Sequence, residues 1–293
     1  MKRILCLVDL NDISKAAAEY AANLAKRSSA ELVLLHVLRL PTLLEADGVG
    51  LGYLDSTEER EKEADQKLLN YRIVIEDQFQ ISCRSIVKTE ALNLNKGVEI
   101  EIEKFDYEAI VMGTNGAENF QQFLFGIHSE RLAKHVKVPL IIVPENYVFK
   151  EPKQIVYASD YEKEDVDVVK KIMKLTAGFD SNITVLHVSK KPSDISGIVH
   201  CSIKNELEDE LDNSKIRCEQ IFDKETVSGI HGFMMKEEKD LLVLLAKNYS
   251  LGEKFLSKGV FQQINIISTY PVLVIHSSDK VEHIRVIPPD VVF

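Results

Sequence analysis

The residues best suited to chemistry in this chain run Gly113-Thr-Asn-Gly116-Ala-Glu-Asn-Phe-Gln-Gln-Phe-Leu-Phe-Gly126-Ile127-His128-Ser129-Glu130. Three glycines fall at the end of an apolar run, three residues further on, and at the start of a helical pattern. Glycine lets backbone amides approach a ligand with no side chain between, and a helix N-terminus presents unpaired N–H groups carrying about half a positive charge. The chemistry this suits is the holding of an anion, a phosphate above all. A plainer role stays open, in which Gly113 and Gly116 turn the chain and Gly126 begins a helix. No Gly-x-x-x-x-Gly-Lys-Ser/Thr loop occurs, and Gly48-Val-Gly50-Leu-Gly52 misses the Gly-x-Gly-x-x-Gly spacing. That second glycine cluster reads as a long loop, either passive cover or a lid over a ligand.

Other reactive types are less suggestive. His36 and His187 each end an apolar run, yet neither shares a motif with a serine or cysteine nucleophile. A shared packing or hydrogen-bonding role is the expectation. Cys6, Cys83, Cys201 and Cys218 form no Cys-x-x-Cys pair, so they read as reduced thiols behaving as small hydrophobes. No His, Asp and Glu spacing suggests a transition-metal site.

The elements that must position these residues occur twice. Arg3-Ile-Leu-Cys-Leu-Val-Asp9 matches Gln154-Ile-Val-Tyr-Ala-Ser-Asp160, and Glu31-Leu-Val-Leu-Leu-His36-Val37 matches Asn182-Ile-Thr-Val-Leu-His187-Val188, both at an offset of 151. Later landmarks follow at smaller offsets, Asp106 with Asp240 at 134 and Val138-Pro-Leu-Ile-Ile-Val143 with Tyr270-Pro-Val-Leu-Val-Ile275 at 132. The second copy is therefore about 17 residues shorter, where the first carries 39–78. The apolar runs are continuous, as in strands buried on both faces of a parallel sheet. Between them lie helical stripes, Ile13, Ala16, Ala17, Tyr20, Ala21, Leu24 and Ala25 in one copy and Val166, Val169, Ile172, Met173 and Thr176 in the other. The pattern predicts two α/β units, each an open five-stranded parallel sheet with helices on both faces. Ligands of such sheets sit beyond the carboxyl ends of the strands, which draws attention to Asp9, Val37 and the segment after Met112.

Composition sets outer bounds. The chain has 293 residues, 45% hydrophobic and 28% charged, which fits two globular domains and excludes disorder or coiled coil. Its net charge of -10, with no compensating basic stripe, argues against nucleic acid as a partner. No apolar run approaches the length of a membrane span, and the N-terminal run is broken by Asp9, so neither a membrane anchor nor a secretory leader is expected. The expected location is the cytoplasm.

The Gly-x2-Gly-x9-Gly spacing, the following helix and Val-Pro-Leu-Ile-Ile-Val run, Asp9 ending the first run and His36-Val37 ending the second together resemble the universal stress protein family in its tandem form. The resemblance extends from Lys2 to about His276. It implies Rossmann-like domains of the adenine nucleotide alpha hydrolase type, with strand order 3-2-1-4-5, that often bind ATP and dimerise through the last strand. On that footing, Asp9 lies near the adenosine, the Val37 backbone reads the adenine and Gly113 lies against the ribose. Gly116 and Gly126, with the amides of Ile127 and His128, surround the phosphates. The family usually has Ser or Thr where this chain has Ile127, with a hydroxyl following only at Ser129, and His128 is a candidate substitute donor. Mg2+ would come with the nucleotide, held mainly by phosphates and water.

In the second copy, Lys247 and Ser250 replace Gly113 and Gly116, while Gly259 keeps the third position and Val260 follows it. A side chain in a cradle of backbone amides pushes phosphates outward, so no ordinary nucleotide site is expected there. Asp160, like Asp9, has a helix-capping role open to it. The expected domains are 1–146, with the intact motif, and 152–277, with the degenerate one, followed by a tail over 278–293. The two apolar last strands, 138–143 and 270–275, are expected to pair with each other inside one chain, with a homodimer also open. The functional expectation is a protein that changes state with ATP, ADP or AMP, hydrolysing slowly at most. Its alternative is a stress adaptor that binds no nucleotide. Enzymes sharing this sheet order carry Ser-Gly-Gly-x-Asp or His-x-Gly-His signatures, which are absent here.

Overall fold

The computed structural model describes residues 2–10, 13–38, 52–89, 94–114, 132, 136–161, 164–191, 215–246 and 269–276. The first half contributes β1 (Arg3–Leu7), α1 (Ile13–Ser28), β2 (Glu31–Val37), α2 (Gly52–Phe79), β3 (Cys83–Lys88), α3 (Leu94–Lys104), β4 (Ala109–Thr114) and β5 (Leu140–Pro144). The second contributes β6 (Gln154–Ala158), α4 (Asp165–Leu175), β7 (Asn182–Ser189), β8 (Ile216–Phe222), α5 (Thr226–Lys236), β9 (Leu241–Ala246) and β10 (Val272–His276).

All ten strands form one sheet in the order β3-β2-β1-β4-β5-β10-β9-β6-β7-β8. Each half is thus the 3-2-1-4-5 arrangement that the family resemblance implies. Every pairing within a half is parallel, and the halves join through antiparallel β5 and β10, with Val272 opposite Ile142, Leu273 opposite Ile141 and Val274 opposite Leu140.

Two apolar layers run unbroken across that seam because side chains alternate along each strand. Ile4, Cys6, Ile141 and Leu273 face the layer of α1 and α4. Leu5, Leu7, Ile142 and Val272 face the layer of Val98 from α3 and Ile230 from α5. The predicted stripe of α1 is buried from Ala16 to Ala25, and so are Ala18 and Ala22 at 0% exposure. Alanine suits a helix enclosed on more than one side, since its small side chain lets neighbours approach.

β5 and β10 begin two residues later than the sequence suggests, after Pro139 and Pro271. Proline has no N–H for the ladder. Its carbonyl still accepts, from the amide of Ile110 onto Pro139 at 2.8 Å and from Leu242 onto Pro271 at 3.1 Å. Gly52, expected in a loop, instead opens the 28-residue helix α2; Gly48 and Gly50 lie outside the described residues.

The expectation of four reduced cysteines fails at Cys218, which is disulfide-bonded, while Cys6 and Cys83 are free and buried. Motif spacing could not show this, because a disulfide needs nearness in space and not in sequence. Burial pushes the Cys83 thiol up to about 12 and raises that of Cys6 as well. At pH 8 only about one Cys83 in ten thousand is then a thiolate, the reactive form. Both thiols should resist a maleimide in the folded protein and react once guanidinium unfolds it; labelling of the native protein at the unfolded rate would contradict this.

Candidate functional site

The carboxyl ends of β1, β2 and β4 converge on one crevice of the first half. Leu7 pairs with Leu35 of β2 on one side and with Met112 of β4 on the other. Gly113, still paired with Val143, therefore comes level with Val8, one residue beyond the last β1–β4 pair. Thr114 ends the strand, 8% exposed, and its carbonyl accepts the amide of Glu145 at 2.9 Å.

Asp9 is fixed from the following helix. The Ser14 hydroxyl donates to Asp9 Oδ1 at 2.8 Å, and Ser14 Oγ accepts from the Asp9 amide at 3.4 Å. The chain then leaves β1 through Leu10, at a φ of 62°, a left-handed turn that costs a non-glycine residue about 1 kcal/mol or more. This turn removes the first strand from above Val8.

The end of β2 faces that space. The amide of Leu38 donates outward to the Lys88 carbonyl at 2.9 Å. Alternation along the strand sends the Val37 amide and carbonyl the other way, toward the place β1 has vacated. His36 closes the floor, its Nδ1–H donating to the Val8 carbonyl at 2.8 Å. Main-chain groups beside a positioned carboxylate can recognise a flat heterocycle by hydrogen bonding to its edge.

The second half repeats the scaffold and changes what fills it. His187 Nδ1 donates to the Ser159 carbonyl at 3.0 Å, the same bond 151 positions on, and Tyr161 has a φ of 58° where Leu10 has 62°. The repeated histidines thus carry a structural hydrogen bond. Tyr161, however, lies across the strands: its ring is 5.2 Å from that of His187, and its hydroxyl donates to the Glu219 carbonyl at 3.1 Å. Asp160 Oδ1 is 3.8 Å from His187 Nδ1. The capping role open to Asp160 does not hold, since α4 begins at Asp165 with Glu164 as its N-cap.

Of the predicted site residues, the structure brings together Asp9, Val37 and Gly113. Gly116, Gly126, Ile127, His128 and Ser129 lie outside the described residues, as do Lys247, Ser250, Gly259 and Val260. Sequence reasoning missed Ser14 and Leu10, the two residues that aim Asp9. A serine in the first turn of a helix is too common to stand out, and the leucine gives no sign of its left-handed backbone. Among the described residues no cluster of three His, Cys, Asp or Glu could hold a metal ion, and no helix is long and apolar enough to cross a membrane.

Two doubly wound α/β halves, with a crevice at the strand-order reversal, define a tandem Rossmann-like protein. Residues 1–144 match the family model described as the universal stress protein family. Over 153 residues, 52% of this chain and 84% of the relative, the sequence is 29% identical to a universal stress protein of Methanocaldococcus jannaschii. The first half, residues 1–144, is a domain of the universal stress protein family. The crystal structure of a universal stress protein from Archaeoglobus fulgidus superposes with a TM-score of 0.69 at 19% identity, covering 94% of this chain and 98% of that one. A functionally unknown protein from Pseudomonas aeruginosa superposes at 0.57 with 12% identity, covering 95% and 94%. These two likenesses establish the shared fold.

Proposed function

We propose that the protein binds ATP or another adenine nucleotide in the crevice of the first half and acts as a nucleotide-dependent switch in a stress response. One observation carries the reading: Gly113, the first glycine of the Gly-x2-Gly-x9-Gly segment, lies one register step past the Leu7–Met112 pair, level with Val8, where the chain leads into Asp9 with its carboxylate held by Ser14. The adenine would meet the main chain of Val37 and the ribose would lie near Asp9 and Gly113. The phosphates would reach the segment through Gly116, Gly126, Ile127, His128 and Ser129, with Mg2+ arriving on them.

Binding belongs to the first half on this reading. By strand register Leu245, not the expected Lys247, stands where Gly113 serves the first copy, so a side chain occupies that position, and Tyr161 spans from β7 to β8. Ile127 supports a second reading, a nucleotide-free adaptor, because it removes the hydroxyl usual at that position.

Equilibrium dialysis with labelled ATP tests the pair. The wild type should bind below millimolar concentration, and Gly116→Val should weaken binding at least tenfold, about 1.4 kcal/mol, while Ser250→Val leaves it unchanged. Affinity in the millimolar range or weaker for the wild type would favour the adaptor, and equal losses in both variants would contradict a single site.

A further inference from the structure

At the seam between the halves, on the amino-end side of β1, β4 and β5, lies a cleft of about 480 Å³. Lys2 and Lys137 of the first half and Lys171 and Lys174 of the second line it, with Asp106 and Glu108 as its acidic residues. Four ammonium groups against two carboxylates is a local excess of positive charge on a chain whose net charge is -10.

The carboxylates do not quench this excess. Glu108 is shared by two lysines at the long limit of ion pairing, 3.7 Å to Lys2 and 3.9 Å to Lys174. Lys171 is tethered to the wall, donating to the His276 carbonyl at 2.9 Å, a bond that leaves its charge in place. Like charges gathered around a concave surface repel one another, and a multivalent anion between them relieves that repulsion.

The pseudo-two-fold relation of the halves supplies an internal control. At the offset of 151, Lys171 corresponds to Tyr20 and Lys174 to Asn23, while Lys2 corresponds to Lys153; by strand register Glu108 corresponds to Asp240, each donating its amide to the carbonyl of the residue that opens the first strand of its half. On that other side the seam is closed by the segment joining the halves. Tyr20 packs edge-on to Phe149 at 5.3 Å and against Tyr147 at 6.2 Å, and Phe149 meets Phe179 at 6.4 Å. One side of the seam is sealed by aromatics, and among the described residues its counterpart is a cleft with Lys171 in the place of Tyr20.

We infer that this cleft is an anion site for a small phosphate-class ligand bearing two or more negative charges, bridging Lys2 and Lys137 of one half to Lys171 and Lys174 of the other. It is separate from the nucleotide crevice, which opens at the carboxyl ends of β1, β2 and β4, and it does not depend on that reading. Because the ligand touches both halves, its binding stabilises their junction by linkage.

Inorganic pyrophosphate titrated into the full-length protein, followed calorimetrically and by thermal unfolding, tests the site. The wild type should bind, and its unfolding midpoint should rise with pyrophosphate concentration. The Lys171→Met, Lys174→Met double variant should bind at least about tenfold more weakly, and Glu108→Gln, which removes a competing carboxylate, should bind about fivefold more tightly. The opposite direction of the Glu108 effect separates loss of a ligand from loss of fold. Lys26→Met, which removes an exposed α1 lysine outside the cleft, should leave pyrophosphate affinity unchanged. Absence of binding to the wild type, or affinity that follows Lys26→Met and ignores the cleft lysines and Glu108, would overturn the inference.

Discussion

Replacing Lys88 with Met should destabilise the protein by about 3 kcal/mol, the cost typical of stranding one member of a buried ion pair. Glu101 of α3 is 1% exposed, and Lys88 Nζ at the end of β3 lies 3.2 Å from its Oε2. The Tyr107 hydroxyl donates to the other oxygen at 2.9 Å, and burial, followed by this bond, raises the phenol well above its usual range. Methionine would fill the volume of the lysine stem but leave the carboxylate without a counter-charge. Guanidinium unfolding measures the loss. Glu101→Gln should cost less, since a neutral amide can still accept from Tyr107, and adding it to Lys88→Met should recover part of the stability. A double variant no more stable than Lys88→Met alone would show that the stranded charge is not the source of the loss.

The fold was legible because it is written twice. A shared offset of 151 at Asp9 and Asp160 and at His36 and His187 located two strands in each half, and continuous apolar runs identified a parallel sheet. The structure extends that offset to features a sequence does not express. Ser29 and Asp180, like Leu10 and Tyr161, share a left-handed backbone, both at a φ of 52°. Residues of unlike chemistry occupy these turns, so the path of the flanking elements imposes the conformation over local preference. The two proline-headed strands show the reverse case, in which one residue's missing N–H moved a boundary that hydropathy alone set two positions early.

The candidate site was legible only in part, for a related reason. Gly113 and Asp9 could be found from motif spacing, and Val37 from its place after a strand. That Ser14 holds Asp9, and that Val37 turns its main chain toward the gap above Val8, depends on pairing partners far apart in the chain. The lysine-lined cleft was less visible still, since Lys2, Lys137 and Lys171 come from separate elements and meet only through the antiparallel joining of β5 and β10.

The second half holds its turn in place with a buried polar group, and removing it should cost nearly as much as the Lys88 change. Asp165, 2% exposed in the first turn of α4, accepts from the Tyr157 hydroxyl at 2.6 Å and from the Ser159 hydroxyl. Ser159 Oγ in turn accepts the Tyr161 amide at 2.7 Å, so one carboxylate organises the chain from the end of β6 to the left-handed turn. The corresponding residues of the first half are Cys6, Val8 and Ser14, where the serine instead donates to Asp9. Its position at the start of a helix also sets the negative charge against the positive end of the helix dipole. Asp165→Ala would leave two hydroxyls without their acceptor, each worth about 1–3 kcal/mol when buried, for an expected loss of about 3 kcal/mol. Tyr157→Phe removes one of those hydroxyls, so the double variant should lose less than the sum of the single changes by about 1 kcal/mol. Additive losses in that cycle would mean that Tyr157 and Asp165 are not coupled, and the role assigned to the carboxylate would fall with them.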